Sequence, residues 1–337
     1  MISIAVASGS FSRNATLCTE LLKNRIKTKF WRKDRVLKGQ ELVDFLSGAS
    51  HAIVGKEPID EPTLKALPHL EVISKYGVGL DNLDLTAISK AGVICGWTPG
   101  VNKRAVAELT LQLILSLVRR SQVASFNLKN GLWKRELGQQ LTGSTVGIIG
   151  CGNIGKDVSR LLRPFGCRIL ANDLVIDHDF YKRHDIKPCS LENLLTQAQI
   201  VTLHLPLNQS TAHIIDRRAL SLMRKGSFLI NTARGGLVCE DSLYEALIRG
   251  HLEGAACDVF WDEPQANPKL LELDQFIGTP HIGGSSKEAV LAMGRAAIKG
   301  LELKDSTPCD HQIEPSILHQ KAFPISKSAA KQTINVE

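Results

Sequence analysis

The 337-residue sequence lacks an apolar run long enough to cross a membrane, and it lacks a signal peptide. Its most apolar window, residues 109–118, is far shorter than the roughly 20 residues that a bilayer requires. The first residues have neither the basic region nor the long apolar core of a secretory signal. These absences predict a protein with no membrane partner.

The sequence also has no CxxC motif. Its eight cysteines are scattered along the chain, and several of them fall inside apolar runs. A reduced thiol packs in such runs as a small hydrophobic group, which favours a reducing cytoplasm and no zinc or other metal site. The net charge of +7 is spread along the chain apart from a short cluster at 29–35. Without an aromatic and basic ladder, this charge predicts a surface that attracts anionic substrates and no nucleic acid partner.

A glycine motif, Gly150-Cys-Gly-Asn-Ile-Gly155, directly follows the apolar run 144–149. In a dinucleotide site Gly150 permits a tight turn, Gly152 lets the backbone approach a pyrophosphate, and Gly155 lets a helix pack against the strand. A helix that begins near Ile154 would direct its partly positive N-terminus toward the phosphates. The motif therefore predicts a nucleotide site.

An acidic residue, Asp173, ends the next apolar run eighteen positions after Gly155. In such a site this carboxylate accepts hydrogen bonds from a ribose diol. No lysine or arginine occurs between Asp173 and Tyr181 to pair with a 2′-phosphate, and Asp173 would repel one. The pattern favours NAD over NADP, while an ordinary strand, turn and helix is the other interpretation.

Short apolar runs alternate with helical patterns from residue 1 to about 98, and the alternation resumes after Gly143. Runs rich in β-branched residues without strict alternation are typical of parallel strands that are buried on both faces. The predicted strands lie at 2–7, 52–55, 72–75, 93–95, 145–149, 168–172, 200–205, 228–231, 255–259 and 276–277. We therefore expect an α/β fold.

Two long helices are expected to connect the halves of the chain. After Pro99-Gly100, a helix predicted over 102–128 is apolar almost all round its middle, which indicates packing on more than one side, including against a second subunit. A second helix, predicted over 286–303, would cross back to the first domain. The tail 306–337 has no periodicity and is expected to be mobile.

Three candidate catalytic residues follow predicted strands: Arg234, Glu263 and His281. Transfer of a hydride between a 2-hydroxy acid and NAD needs a group that takes up or releases the hydroxyl proton, and an imidazole can do both. A carboxylate on the other ring nitrogen would orient the imidazole and stabilise imidazolium. The guanidinium would bind the substrate carboxylate as a planar pair of donors.

The sequence resembles the D-isomer-specific 2-hydroxyacid dehydrogenase family, most closely its D-3-phosphoglycerate dehydrogenase branch. The resemblance covers nearly all of residues 50–300, and the motifs that carry it are Lys75–Asn82, Thr98–Glu108, the glycine motif, His204–Leu207, Thr232–Gly236, Asp258–Phe260 and Pro280–Gly284. It implies two Rossmann-like domains, a flavodoxin-like substrate domain at 1–98 plus 285–305 and an NAD-binding Rossmann domain at 99–284. A cleft between them would close on coenzyme and substrate, and the enzyme would be a homodimer through the long helix.

The resemblance also implies roles for individual residues. Arg234, Glu263 and His281 match the catalytic arginine, glutamate and histidine. The residues implied to contact NAD are Gly150, Gly152, Asn153, Ile154, Gly155, Asp173, His204, Thr232, Ala233, Arg234, Asp258, His281, Gly283 and Gly284. For His204 a structural role is an equal alternative. Tyr76, Gly77, Val78 and Gly79 match a loop that meets the substrate carboxylate through backbone amides, and Asn102 is a further candidate for substrate binding.

The motifs are shared by enzymes that act on different 2-hydroxy acids, so the sequence is compatible with more than one substrate. The leading candidate pair is 3-phosphoglycerate and 3-phosphohydroxypyruvate. Lys56, Lys75 and Arg135 are the candidate cations for binding the phosphate. The alternative for each of them is a solvated residue on the protein surface. Another family member that reduces glyoxylate, hydroxypyruvate or a larger 2-oxo acid is the first alternative. The second is an NAD(H)-sensing, corepressor-like interaction protein. No regulatory domain is expected after residue 305, and therefore no serine feedback control.

Overall fold

The strands described by the computed structural model, which covers residues 2–23 and 27–303, form two parallel sheets. The first sheet has the order β2-β1-β3-β4-β5. Its strands are β1 (Ile4–Val6), β2 (Thr28–Phe30), β3 (His51–Val54), β4 (Val72–Lys75) and β5 (Ile94–Gly96). The predicted mobile tail, 306–337, lies outside the described residues.

The second sheet has the order β12-β11-β10-β9-β6-β7-β8. Its strands are β6 (Thr145–Ile149), β7 (Arg168–Asn172), β8 (Ile186–Pro188), β9 (Ile200–Leu203), β10 (Ser227–Asn231), β11 (Leu252–Cys257) and β12 (Phe276–Gly278). Neighbouring residues of a strand bury opposite faces, so Ile148 and Ile149 belong to different hydrophobic clusters. The prediction of parallel strands covered on both sides is confirmed.

Helices connect the strands and cover both sheets. They are α1 (Gly9–Ser12), α2 (Ala15–Leu22), α3 (Gly39–Leu46), α4 (Glu61–Lys65), α5 (Leu85–Lys90), α6 (Lys103–Val118), α7 (Ser121–Lys129), α8 (Asn153–Leu162), α9 (His178–His184), α10 (Leu191–Gln197), α11 (Arg217–Leu222), α12 (Glu240–Ile248), α13 (Pro268–Leu271) and α14 (Lys287–Gly300). No helix in the described part of the chain is long and apolar enough to span a bilayer.

The prediction of one continuous helix over 102–128 is wrong, because the chain turns between α6 and α7. Arg120 adopts a left-handed conformation with φ of 51°, and its side chain lies 3.2 Å from Glu136 and 3.1 Å from Glu253. The Gln139 amide donates to the Val118 carbonyl at 2.6 Å and so caps the end of α6. Tertiary contacts with later residues therefore end a helix that the local pattern would continue.

Helix α14 returns to the first sheet, where it packs against β4, β5 and α2. The Ser74 hydroxyl donates to the Ala297 carbonyl at 2.7 Å. Helix α6, in contrast, packs against α8, β10 and β11 of the second sheet. The division of the chain into 1–98 plus 285–305 and 99–284 stays a prediction, and residues 304 and 305 lie outside the described part of the chain.

Two strands, β2 and β8, were not predicted. Both lie at sheet edges, where a strand has one neighbour and is less buried than a central strand. Lys29, Lys187 and Pro188 are exposed, and proline is compatible with an edge strand because its missing amide hydrogen breaks no ladder on the solvent side. Their sequences therefore carry little of the apolar signal that marks the central strands.

Candidate active site

The glycine loop after β6 has the shape that a bound pyrophosphate requires. Gly150 has φ of +88°, and a Cβ there would lie 2.6 Å from the His204 carbonyl oxygen. A Cβ on Gly155 would lie 2.3 Å from the Gly150 carbonyl oxygen, so the start of α8 can approach the strand only with glycine. At Gly152 no atom lies within 4 Å of such a Cβ. The loop is thus tightly packed on one side and open on the side where phosphates would approach.

The remaining residues at this loop also fit NAD. Asn153 and Ile154 begin α8, whose N-terminus adjoins the open glycine. Asp173, after β7, accepts a hydrogen bond from the Cys151 amide at 2.5 Å and one from the Val175 amide at 3.1 Å. Its carboxylate is therefore held beside the loop, where the ribose of a dinucleotide would lie.

Arg234 follows β10 and reaches across to the first domain. Its Nε donates to Asp81 Oδ2 at 2.8 Å, and its Nη1 donates to the Ala233 carbonyl at 2.7 Å. A Cβ on Gly79 would lie 2.1 Å from Arg234 Nη2. The guanidinium therefore lies over the glycine of the loop 76–79, in the cleft between the two sheets.

The backbone that carries Arg234 is held from two sides. Thr110 of α6 and Thr232 share a buried hydrogen bond of 2.9 Å between their hydroxyl oxygens. The Asn231 side chain donates to the Arg234 carbonyl at 2.8 Å and accepts from the Ala233 amide at 3.1 Å. These bonds fix the turn after β10, which aims the guanidinium into the cleft.

His281 and Glu263 form a hydrogen-bonded pair although they are separated in sequence. Nδ1 of His281 lies 2.7 Å from Glu263 Oε2 and 3.0 Å from Oε1. Although burial raises the pKa of Glu263, the hydrogen bond and charge of His281 and the charge of Lys56 hold that pKa below its usual value. The carboxylate is therefore ionised beside the imidazole, which leaves Nε2 as the ring nitrogen that can face a substrate.

Asp258 holds the loop that carries His281. Its buried carboxylate accepts from the Thr279 hydroxyl at 2.6 Å and from the Ile282 and Gly283 amides at 2.8 Å. His281 itself has φ of +55°, a left-handed conformation that is costly for a residue with a Cβ. The predicted contact of Asp258 with the nicotinamide stays a prediction, while the structure shows that Asp258 positions the histidine loop.

The candidate phosphate cations are not brought together in one chain. Lys56 reaches the cleft, with Nζ 3.9 Å from Glu263 Oε2. Lys75 is buried and donates to the Gly55 carbonyl and, at 2.7 Å, to Asn82 Oδ1, so it is already committed within the first domain.

Arg135 needs a correction, because the cleft formed by a single chain does not contain it. It lies between Lys134 and Glu136, which are paired at 3.0 Å. Through Arg120, Glu136 is connected to Glu253 at the amino end of β11. The coenzyme loop and the catalytic residues all follow the carboxyl ends of their strands, which are at the opposite edge of the sheet.

The remaining residues predicted to bind the substrate are Tyr76, Gly77, Val78 and Asn102. The Tyr76 side chain is buried against Phe11, with ring centroids 5.5 Å apart, so only its backbone is available to the cleft. The Val78 carbonyl accepts from the Trp97 indole at 2.9 Å, and Gly77 has φ of +113°. Asn102, ahead of α6, lies beside Gly284, with Nδ2 3.3 Å from where a Cβ of that glycine would be.

The side chain of His204 is hydrogen-bonded to a residue of β9 and not to a group in the cleft. Nε2 lies 3.0 Å from the Thr202 hydroxyl oxygen. Burial lowers the pKa of His204 to about 3, so the ring is neutral near pH 7. Its backbone carbonyl packs closely against Gly150, which gives it a packing role beside the coenzyme loop.

Sequence reasoning missed the acidic and polar residues that position the predicted ones. Asp81 pairs with Arg234, and Asn82 donates to the Glu57 and Gly55 carbonyls. The buried Glu57 accepts from the Gly55 amide at 2.6 Å. Asp81 and Asn82 belong to the motif Lys75–Asn82, so their place in that motif was the available signal.

Because Lys75 is buried, the stability of the protein is predicted to depend on pH. Burial lowers its pKa from 10.5 to about 8, so between these values the folded chain binds fewer protons than the unfolded chain, and its stability rises with pH. Relative to Lys75→Met, the wild-type protein should gain about 2 kcal/mol between pH ~7.5 and pH ~10 in urea unfolding. Lys90→Met, an exposed lysine of α5, is the control, and an identical gain in Lys75→Met would contradict the assignment.

Comparison with known proteins agrees with this geometry. Residues 111–283 match the NAD-binding domain of the D-isomer specific 2-hydroxyacid dehydrogenases. A D-3-phosphoglycerate dehydrogenase from Methanocaldococcus jannaschii is 38% identical over 77% of this chain and 50% of its own length. A hydroxypyruvate reductase from Thermotoga maritima is 35% identical over 82% of this chain and 90% of its own length. The chain thus spans about half the length of the phosphoglycerate dehydrogenase that it matches.

Among solved structures, the D-lactate dehydrogenase of Aquifex aeolicus, complexed with NAD and lactic acid, has a TM-score of 0.78 and 29% identity. The match covers 88% of this chain and 93% of that one. The family profile, the relatives and the arrangement of the two domains agree. The chain belongs to the D-isomer specific 2-hydroxyacid dehydrogenase family, and residues 111–283 are its NAD-binding domain.

Proposed function

We propose that the protein is an NAD-dependent oxidoreductase that interconverts a D-2-hydroxy acid and its 2-oxo acid. The observation that carries this proposal is the convergence of the His281–Glu263 pair and Arg234 on the cleft beside the coenzyme loop. NAD, when bound by the glycine loop and Asp173, supplies the hydride acceptor or donor. The side chains of this chain supply the proton transfer and the binding of the substrate.

His281 is the proposed acid and base. With Nδ1 directed to the Glu263 carboxylate at 2.7 Å, its Nε2 takes the hydroxyl proton during oxidation and returns a proton to the 2-oxo oxygen during reduction. The negative charge of Glu263 stabilises the imidazolium that forms in the first case. The same pair of side chains therefore serves both directions.

Arg234 is the proposed partner of the substrate carboxylate. Asp81 accepts from Nε and the Ala233 carbonyl accepts from Nη1, so the plane of the guanidinium is set before a substrate arrives. A preorganised donor loses less conformational freedom on binding. Closure of the two domains would then exclude water around these groups.

For the substrate, we propose 3-phosphoglycerate and 3-phosphohydroxypyruvate. Lys56, with 71% of its side chain exposed, stands in the cleft 3.9 Å from Glu263, where it can attract a second anionic group. Hydroxypyruvate or glyoxylate is the second candidate, favoured because Lys75 is committed to other partners and Arg135 lies at the other end of the sheet. The first candidate would place the chain in serine biosynthesis.

A panel of 2-oxo acids tests this proposal through the oxidation of NADH. Turnover of 3-phosphohydroxypyruvate with a lower KM than hydroxypyruvate, glyoxylate or pyruvate is the result expected for the first candidate. A preference for the unphosphorylated acids would favour the second. Coenzyme binding with negligible turnover of every acid would contradict both and indicate an NADH-sensing interaction protein.

Lys56→Gln is predicted to raise the KM for 3-phosphohydroxypyruvate about 10-fold, because the substitution removes one favourable charge contact near the protein surface. The KM for hydroxypyruvate should change less than about 2-fold, since that acid has no distal anion. Steady-state kinetics with both acids provide the measurement. Lys65→Gln, at an exposed lysine of α4 that pairs with Glu61, is the control. Equal changes for both acids would remove Lys56 from phosphate recognition.

We propose that the protein is a homodimer. Five large apolar side chains are exposed between residues 126 and 137: Phe126, Leu128, Leu132, Trp133 and Leu137. A groove between α6 and α7 is lined in part by Leu111, Leu115 and Ala124. Several exposed apolar side chains in one segment, with an aromatic residue among them, are typical of a contact between subunits.

Trp133→Glu is therefore predicted to convert the dimer to monomers at micromolar concentration, as measured by sedimentation velocity. The tryptophan is 84% exposed in the single chain, and burying a glutamate in its place would be costly. Ile248→Glu, at a 53% exposed apolar residue of α12, is the control and should leave the mass unchanged. A monomeric wild-type protein would contradict the proposal.

We also propose that the protein works in a reducing cytoplasm. The seven cysteines in the described part of the chain are unpaired. Three of them are buried, where burial raises the pKa of the Cys151 thiol to about 11. Such thiols are poor nucleophiles, as expected of packing residues.

A further inference from the structure

Lys156 of helix α8 brings a positive charge to the segment between Asp173 and Tyr181, which contains no lysine or arginine of its own. The preference for NAD rested partly on the absence of lysine and arginine between Asp173 and Tyr181. In the structure, Lys156 Nζ reaches this segment from α8 and lies 2.6 Å from Asp177 Oδ2. A positive group therefore contacts the segment that follows Asp173, although the local sequence does not contain it.

Asp173 and the partner of Lys156 belong to the same short segment after β7. Cys151 of the glycine loop donates its amide to Asp173 at 2.5 Å, and Asp177, four positions after Asp173, holds Lys156. Asp173 marks the position of the ribose diol, and Lys156 contacts the segment that directly follows it. Asp173, Asp177 and Lys156 are called the charge cluster below.

Asp177 fixes Lys156 in this place. One oxygen of Asp177 accepts from the lysine, and the other caps α9 by accepting from the Phe180 amide at 3.0 Å. Lys156 Nζ also lies 5.2 Å from the centre of the Phe180 ring. Only 28% of the lysine side chain is exposed, so its position is set by the acid and the ring.

We propose that Asp177 is a second determinant of coenzyme choice, because it neutralises the one charge in the cluster that would attract a 2′-phosphate. Asp173 repels the phosphate directly. Asp177 acts indirectly, by holding Lys156 in an ion pair. The site thus excludes NADP through two acids, and it contains a cation that becomes available when the second acid is neutralised. This inference rests on the proposed coenzyme site and not on the choice of oxo acid.

The test is a set of variants measured by coenzyme binding alone, with NADH and NADPH titrated calorimetrically in the absence of oxo acid. Asp177→Asn keeps an oxygen that can cap α9 and removes the charge. Asp173→Ser keeps an acceptor for the Cys151 amide. We expect Asp173→Ser to strengthen NADPH binding about 10-fold and Asp177→Asn to add about 5-fold, as charge interactions near a surface allow. Asp177→Asn should leave NADH binding within about 2-fold, since NADH has no 2′-phosphate.

Lys156→Gln in the double variant should abolish the increment from Asp177→Asn, and high salt should reduce that increment by screening. Asp216→Asn is the matched control, because Asp216 caps α11 in the same way but lies outside the cluster. If Asp177→Asn destabilises α9, Asp177→Ser provides a second capping residue without charge.

Two results would overturn the inference: NADPH affinity unchanged by both Asp177 variants, or a gain that survives Lys156→Gln. If the wild-type protein bound neither coenzyme, the proposed coenzyme site itself would be wrong, and the proposed function with it. If it bound NADH but the variants did not respond, only the role of Asp177 and Lys156 would be lost.

Discussion

His281→Ala is expected to lower kcat by roughly 10²- to 10⁴-fold, the usual contribution of a positioned acid and base. The ring lies 2.7 Å from Glu263 and contacts no residue of the glycine loop in the described hydrogen bonds, so NADH affinity should be largely kept. The measurements are steady-state turnover of the preferred oxo acid and calorimetric titration of NADH. Together they separate the loss of proton transfer from a loss of coenzyme binding.

Two further variants sharpen this test. Glu263→Gln should cost less than His281→Ala and should shift the pH profile of kcat, because the imidazolium loses its negative partner while the acid and base remains. His69→Ala, at an exposed histidine that precedes β4, should have no effect. Turnover of His281→Ala equal to that of the wild-type protein would refute the assignment of the acid and base.

Arg234→Lys is expected to raise the KM for the 2-oxo acid roughly 10- to 100-fold, which is the scale of one or two lost charged hydrogen bonds. Lysine keeps the charge but cannot offer two parallel donors to the substrate carboxylate while it also contacts Asp81. The effect should be larger on KM than on kcat, and initial rates over a range of substrate concentration measure both.

Gly79→Ala tests the same contact from the other domain. Its Cβ would lie 2.1 Å from Arg234 Nη2, so the guanidinium must move and the KM should again rise. Arg218→Lys is the control, because Arg218 forms an exposed ion pair with Glu192 at 2.8 Å away from the cleft. A normal KM and kcat in Arg234→Lys would remove Arg234 from its proposed role.

The coenzyme loop could be predicted because its determinants are contiguous. Gly150, Gly152 and Gly155 each have a role that depends on neighbours within a strand, turn and helix, and the structure places each accordingly. The central strands were predictable for a related reason, since burial on both faces leaves a continuous apolar run in the sequence. The edge strands β2 and β8 were not, because exposed residues such as Lys29, Lys187 and Pro188 interrupt the apolar run. The edge strands β5 and β12 contain no charged residue or proline and were predicted.

The positioning residues could not be predicted from spacing. Arg234 and Asp81 are 153 positions apart, and Thr110 and Thr232 are 122 apart. No local pattern relates such pairs, because their contact depends on how the two domains and α6 pack. The break between α6 and α7 has the same origin, in contacts of Arg120 with residues that come later in the chain.

The sequence alone determined the family, the parallel α/β architecture and the residue types that carry the chemistry, because motifs and burial patterns are local properties of a chain. Tertiary structure decided which charges are available. Lys56 reaches the cleft, whereas Lys75 is committed to buried partners and Lys156 is held by Asp177. The charge of a side chain follows from its residue type. Whether that charge is neutralised depends on the groups within a few ångströms, and only the fold sets those distances.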